Sequence, residues 1–268
     1  MKRFKFLLFA ALPVGFAALA HAGFDDGKAA YDRGGHAKAY EEFKGLAEPG
    51  NATAQYTLGC MYDKGQGVPK NDFEAAKCFR KSVEQRLAGA QIDLDLGVKF
   101  DFGRGVPQDY GEAVRFYRKE AEQGNVGAQY HLGLMYAEGH GVPQDYVEAA
   151  KWYRKAAEQG HADAQYFLGE MYEDGKGVPH DSAEAVKWYR KAADQGNSSG
   201  QYNLGLMYYD GEGVPQDFIQ AHMWLNLAAA QGLSGAQQLR DELAKLMTTA
   251  QIAEAQRLAR EWKPKGQD

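Results

Sequence analysis

The sequence predicts an all-α protein, an α/α superhelical solenoid of helical hairpins closed by a C-terminal helical cap. Three observations carry that expectation. A Gly-x-Gly-Val-Pro element recurs with its prolines at Pro69, Pro107, Pro143, Pro179 and Pro215, separated by 38, 36, 36 and 36 residues. Ahead of each element runs a stretch with apolar residues at helical spacing. Behind each comes a second such stretch, opened by Asn or Asp. A fixed period of this size marks a solenoid, in which one supersecondary unit cannot bury its apolar face alone and stacks on its neighbours to do so.

Residues 1–22 read as a secretory signal peptide. Lys2, Arg3 and Lys5 make a basic start, Phe6 to Ala20 is apolar apart from Pro13 and Gly15, and Ala20-His21-Ala22 fits an A-x-A cleavage site. The apolar run is short for a membrane span. Cleavage would start the chain at Gly23 and take its formal net charge from −5 to −8. Export to the periplasm or beyond the cell is therefore expected, with no membrane span after cleavage. An acidic chain without a basic block is a poor nucleic-acid binder.

Residues 23–50 read as a degenerate first repeat. Ala29-Ala30-Tyr31 lies on one helix, Gly34-Gly35 breaks it, and a second helix from Ala37 ends at Pro49-Gly50. Residues 51–232 hold the five regular repeats. In each first helix apolar residues fall at i, i+4, i+7 and i+8: Ala54, Leu58, Met61 and Tyr62, then Ala128, Leu132, Met135 and Tyr136, with equivalents from Ala164 and Gly200. That spacing is one stripe of an amphipathic helix. The glycines that follow, such as Gly139 and Gly141, close the helix in the left-handed region, and the proline prevents its continuation. A phosphate-binding loop is excluded, because the element follows a helix and lacks Lys-Ser/Thr. Asn71, Asp109, Asp145, Asp181 and Asp217, each with Glu or Gln three residues on, predict second helices opened by capping boxes. Their bodies bury Ala149, Tyr153 and Ala156, or Ala185, Tyr189 and Ala192.

One repeat departs from this pattern. Arg86 stands where other repeats place Gly124 or Gly160, two residues are added, and Lys99 occupies a Met position. The preceding second helix is expected to run to about Ala88, with a local change of twist. After Gly232 the period lapses. Residues 233–268 read as capping helices, one from Ala236 to Met247 and one opened by Thr248 with Gln251.

The repeated string Ala-Gln-Tyr-x-Leu-Gly-x-Met-Tyr, Gly-x-Gly-Val-Pro-x-Asp, Glu-Ala-x-Lys-Trp-Tyr-Arg-Lys-Ala-Ala-Glu-Gln-Gly closely resembles Sel1-like repeats, a branch of the tetratricopeptide-like helical repeats. The resemblance implies a scaffold or adaptor for other proteins, often exported in bacteria. Cysteine-rich relatives carry a disulfide in each repeat, with cysteines at the positions of Gln55 and Val83. Penicillin-binding or β-lactamase activity has been attributed to that group, so an envelope hydrolase is the alternative function. Its Ser-x-x-Lys string is absent: Ser82, Ser182, Ser198, Ser199 and Ser234 have no Lys three residues on.

Cys60 and Cys78 fall on the two helices of the first regular repeat. They are either a disulfide pair, which an exported compartment permits, or two buried thiols. The six histidines after residue 22 show no metal-ligand spacing. His140, His161 and His180 read as solvated turn residues. Trp152, Trp188 and Trp224 recur once per repeat and read as packing between units. No catalytic, cofactor-binding or metal site is expected.

The expected partner is a protein or peptide. In tetratricopeptide-like superhelices the first helices line the concave side. There the face opposite the buried stripe carries Tyr56, Tyr130, Tyr166 and Tyr202. Beside them the residue changes from repeat to repeat, as Thr57, His131, Phe167 and Asn203, and further on as Asp63, Ala137, Glu173 and Tyr209. A tyrosine row flanked by varied groups suits recognition, since Tyr offers area and a hydroxyl at low entropic cost. Packing between adjacent first helices is the structural alternative for the tyrosines.

Overall fold

The computed structural model describes residues 14–48, 50–84 and 90–265. Among them are fourteen helices and no strand. The chain divides into two compact units, residues 1–109 and 110–268.

The first unit holds α1 (Val14–Asp32), α2 (His36–Ala47), α3 (Ala52–Lys64), α4 (Asp72–Glu84) and α5 (Ala90–Phe102). Helix α1 packs on α2, α2 on α3 and α3 on α4. Ala39, Phe43, Ala54, Leu58 and Met61 form its core. Residues 1–13 of the expected signal peptide lie outside the described residues; Val14 to Ala22 continue along the backbone of α1. No described helix is long and apolar enough to cross a membrane. The expected stop near Ala88 and Gly89 likewise falls outside the described residues. Lys99 is nonetheless accommodated within this unit. Its Nζ lies 2.9 Å from the Asp63 carboxylate and 4.4 Å from the centre of the Phe79 ring, so the charge at a core position is paired.

The second unit holds α6 (Tyr110–Glu122), α7 (Val126–Glu138), α8 (Tyr146–Glu158), α9 (Ala162–Asp174), α10 (Ser182–Asp194), α11 (Ser198–Asp210), α12 (Phe218–Ala230), α13 (Ala236–Ala244) and α14 (Thr249–Glu261). Helices α6 to α12 pack in sequence, each against the next, and both α13 and α14 pack on α12. First helices α7, α9 and α11 bury Leu132, Leu168 and Leu204, and second helices α6, α8 and α10 bury Tyr117, Tyr153 and Tyr189. Trp224 of α12 meets Trp262, just past α14, edge to face at 6.2 Å. The cap thus covers the side of the last hairpin that no further repeat would bury.

The helix ends follow from their residues. Gly139, Gly175 and Gly211 take φ between 68° and 75° and close α7, α9 and α11. Asp145, Asp181 and Asp217 each accept from two backbone N–H groups at the start of α8, α10 and α12. The reciprocal half of the expected capping box is not made at these ends. Each Asp spends its own N–H on the carbonyl of Tyr136, Tyr172 or Tyr208 in the preceding helix. With that donor already satisfied, Glu148 and Glu184 pair with Lys151 and Lys187 instead. The full reciprocal box occurs at Thr248 and Gln251.

Two further features lock a hairpin. Gly133 and Gly169 sit inside helices, where glycine is unfavourable by about 1 kcal/mol relative to Ala. A methyl group on Gly133 would stand 2.6 Å from the Tyr153 ring, and one on Gly169 2.6 Å from the Tyr189 ring. The glycine lets the buried aromatic of the second helix rest directly on the backbone of the first. The second glycine of the loop faces backward along the chain. A Cβ on Gly177 would lie 2.0 Å from the Tyr146 carbonyl oxygen, at the start of the preceding second helix.

Candidate functional site

A glutamine ladder joins successive repeats. Gln129, Gln165 and Gln201 are almost fully buried. Their Nε2 atoms donate to the carbonyls of Ala121, Ala157 and Ala193, in the last turn of the preceding second helix. Their Oε1 atoms accept at 2.7 to 2.8 Å from Gln159, Gln195 and Gln231 at the end of their own hairpin. Each of these helix-terminal carbonyls also accepts from the backbone N–H of Gly124, Gly160 or Gly196, and the buried amide adds a second donor. Arg118 and Arg154 add a rung, donating to the hydroxyls of Tyr136 and Tyr172 on the next first helix. Arg190 does the same to Tyr208.

The sequence-predicted partner residues lie beside this ladder, and all are half-buried. Tyr130 packs among aromatic rings, 4.5 Å from His161 and 6.1 Å from Phe167. Tyr166 lies 6.0 Å from Tyr189 and donates to Glu170 at 2.5 Å. Tyr56 donates to Asp95, also at 2.5 Å. Tyr202 packs against the C-terminal core, and Tyr209 stacks on Phe218 at 5.9 Å. The tyrosines thus contact first helices in places, as Tyr130 does Phe167 and Tyr56 does Asp95, and second helices in others, as Tyr166 does Tyr189.

The position after the tyrosine has a purpose the sequence did not disclose. His131 stacks on buried Tyr117 at 4.8 Å and 7°. Phe167 stacks on buried Tyr153 at 5.4 Å and 12°. Asn203 lies beside the Tyr189 hydroxyl. Each changing residue covers the buried aromatic of the preceding repeat. The signal was available in the sequence: every one of them stands 14 residues after that Tyr.

Burial draws the His131 imidazole down to about 4, with His161 a lesser cause. Its Nδ1 has no protein partner among the described residues. His161 is not a solvated turn residue. It is half-buried and caps α9, its Nδ1 accepting from the Ala164 N–H at 3.3 Å. His140 lies flat on Tyr110 at 4.3 Å and pairs with Glu138. His180 is exposed, as expected, and its Nδ1 donates to the Glu173 carbonyl at 2.7 Å.

Cys60 and Cys78 are free thiols. They face different neighbours. Cys60 meets Tyr56 and Lys99, toward α5, whereas Cys78 packs beside the α1–α3 core and shares a cleft with Tyr40 and Lys44 of α2. Burial pushes both thiols up.

A groove of about 280 Å³ opens between the first helices α7 and α9. Leu134, Ala137 and Phe167 wall it, Tyr153 of α8 contributes from below, and Glu138, Glu170 and Asp174 stand around it. Burial raises the Glu170 carboxyl above its ordinary value, against the stabilising bond from Tyr166. Glu173 does not join the groove; it accepts from the Tyr189 hydroxyl. Among the described residues no group of three His, Cys, Asp or Glu side chains is placed to hold a metal ion.

Stacked helical hairpins locked by inter-repeat glutamines define an α/α repeat scaffold. The Sel1 repeat model matches residues 52–87, 94–125, 126–161, 162–197 and 198–233, and the chain belongs to the Sel1 repeat family. Proteins of this family are generally non-enzymatic scaffolds that mediate protein interactions. A protective antigen of uropathogenic Escherichia coli strains with an SLR fold is 36% identical, with a TM-score of 0.77 over 92% of this chain. The chain spans 54% of that protein's length. A Sel1 repeat protein from Oxalobacter formigenes is 33% identical, with a TM-score of 0.71 over 81% of this chain and 88% of its own. No curated protein compared with the chain matches it.

Proposed function

We propose that the chain is an exported scaffold that holds a protein or peptide partner along the face of its first helices and performs no chemistry of its own. The family resemblance implies that this face is the concave side, which we adopt as part of the proposal. The groove between α7 and α9 is the observation that carries this reading, because it offers apolar walls and convergent polar groups at a place sequence reasoning singled out through Phe167. The basic start, apolar run and Ala20-His21-Ala22 of the leader support export.

The test places a photocrosslinking amino acid at Leu134, in the groove, or at Lys187, on the outer side of α10, in cells that make the protein. Adducts from Leu134 and none from Lys187 are expected. Equal labelling from both positions would refute a dedicated face. N-terminal sequencing of the exported protein should begin at Gly23; an intact Met1 on protein recovered outside the cytoplasm would refute cleavage. Turnover of a β-lactam or of peptidoglycan, abolished by one substitution, would overturn the non-catalytic reading in favour of a hydrolase.

A further inference from the structure

At the groove between α7 and α9 one residue differs from its counterpart in the next hairpin. At the next hairpin the buried Tyr189 hydroxyl donates to Glu173. The counterpart of Glu173, 36 residues earlier, is Ala137. Tyr153 therefore lacks the carboxylate that Tyr189 has. Its ring is 2% exposed and it lines the groove, with no protein hydrogen bond to its hydroxyl among the described residues. That oxygen opens onto the groove and is available to a group that enters it.

The charge around that hydroxyl is mostly negative, with Glu138, Glu170 and Asp174 against Lys176. Helices α7, α9 and α11 carry Glu138, Asp163, Glu170, Glu173, Asp174 and Asp210, and no Lys or Arg. The basic residues of these hairpins sit on the second helices, as Lys151, Arg154 and Lys155 on α8 and Lys187, Arg190 and Lys191 on α10. Within the groove Asp174 pairs with the loop residue Lys176, and Glu138 lies 3.0 Å from the His140 ring. Glu170 makes its hydrogen bond to the neutral Tyr166, so the lining sets three carboxylates against the single lysine. Phe167 and Tyr153 add ring surface, which attracts a cation.

We infer that this groove receives the side chain of a lysine or arginine from a basic segment of a protein partner, the Tyr153 hydroxyl oxygen accepting from the cation and Glu170 facing its charge. The inference rests on the reading that the first-helix face binds a peptide, and it names the class of that peptide. The stem of the basic side chain would lie against Leu134 and Ala137, as long cationic side chains cover apolar surface elsewhere.

The test is selection of decapeptides from two libraries on the immobilised full chain. One library fixes Arg or Lys at the centre, the other fixes Glu. The wild-type chain should enrich the basic library at least about tenfold over the acidic one. The deciding variant is Ala137→Glu, which gives this hairpin the residue its neighbour already has. It adds negative charge, so attraction by general electrostatics would strengthen, whereas a filled groove would lose the enrichment. Loss in Ala137→Glu, with an unchanged melting temperature and a partial loss in Glu170→Gln, supports the inference. Enrichment retained or increased in Ala137→Glu overturns it. So does selection of apolar or acidic peptides blocked by Ala137→Glu, an outcome that leaves peptide binding by this face standing. Selection of nothing also overturns it, and the crosslinking experiment then decides separately whether the face binds any partner.

Discussion

Replacing Gly133 by Ala sets two effects of known sign against each other. In an unobstructed helix the change would stabilise by about 1 kcal/mol, because glycine is the poorer helix former. Here the new methyl would sit 2.6 Å from Cδ1 and 2.7 Å from Cε1 of Tyr153, roughly 1 Å inside ordinary contact. Tyr153 cannot yield easily. It is 2% exposed, and Phe167 stacks against its ring. Overpacking of a closed core costs about 1 to 3 kcal/mol, and a boxed ring places this site at the upper end. The net expectation is a loss of about 2 kcal/mol. Gly45, in the last turn of α2, is exposed and has nothing within 4 Å of an added Cβ. The same substitution there should stabilise by up to about 1 kcal/mol. The assay is urea denaturation followed by circular dichroism, with hydrogen exchange of α7 and α8 amides as a local readout, since long repeat arrays can depart from two-state unfolding. In a Tyr153→Ala background the obstruction is gone and Gly133→Ala should become favourable, a coupling of about 3 kcal/mol. A penalty unchanged in that background, or stabilisation by Gly133→Ala alone, would show that the glycine is not there for the ring.

Three further outcomes are expected. His131 has a folded pKa of about 4, under the unfolded value of 6.5, so its contribution is complete above about pH 6.5 and fades as pH falls toward 4. The contribution is at most about 3 kcal/mol at 1.36 kcal/mol per pKa unit. His131→Phe copies the Phe167 stack and should flatten the urea midpoint between pH 4 and 6.5; an unaltered slope would dismiss the assignment. Gln165→Ala removes the donor to the Ala157 carbonyl and the acceptor for Gln195, both buried or half-buried, and should destabilise by about 1 to 3 kcal/mol in the same denaturation assay. Thiol titration of protein purified without reductant and then unfolded should find both Cys60 and Cys78 reactive, and an absence of free thiol would show a bridge that the separate surroundings of the two side chains argue against.

The period, the hairpins and the glycine and aspartate helix ends were legible because each is a local matter. A proline, a left-handed glycine or an N-cap acts within a few residues of itself, and five copies repeat the message. What escaped was long-range. Gln129 reads as a polar residue in an apolar stretch, and its task appears only when the carbonyl of Ala121 is placed against it. Gly133 reads as a weakness in a helix until Tyr153 arrives 20 residues later. The same reason explains the partner residues. Tyr130 and His131 were found as an exposed row by subtraction, but their neighbours come from adjacent hairpins, and those neighbours bury half of each. The groove was half legible: Phe167 and the change from Ala137 to Glu173 were noted in the sequence, whereas the unpaired Tyr153 hydroxyl beneath them was not.

The glutamine ladder and the second loop glycine both point toward the N-terminus, and this gives the array a polarity. Within a hairpin the last carbonyls of the second helix already accept from the backbone of Gly124, Gly160 or Gly196, and the amide carried by the following repeat occupies what remains of them. Each repeat therefore seals the end of the one before it, and where the period lapses the last hairpin is sealed by α13 and α14 instead.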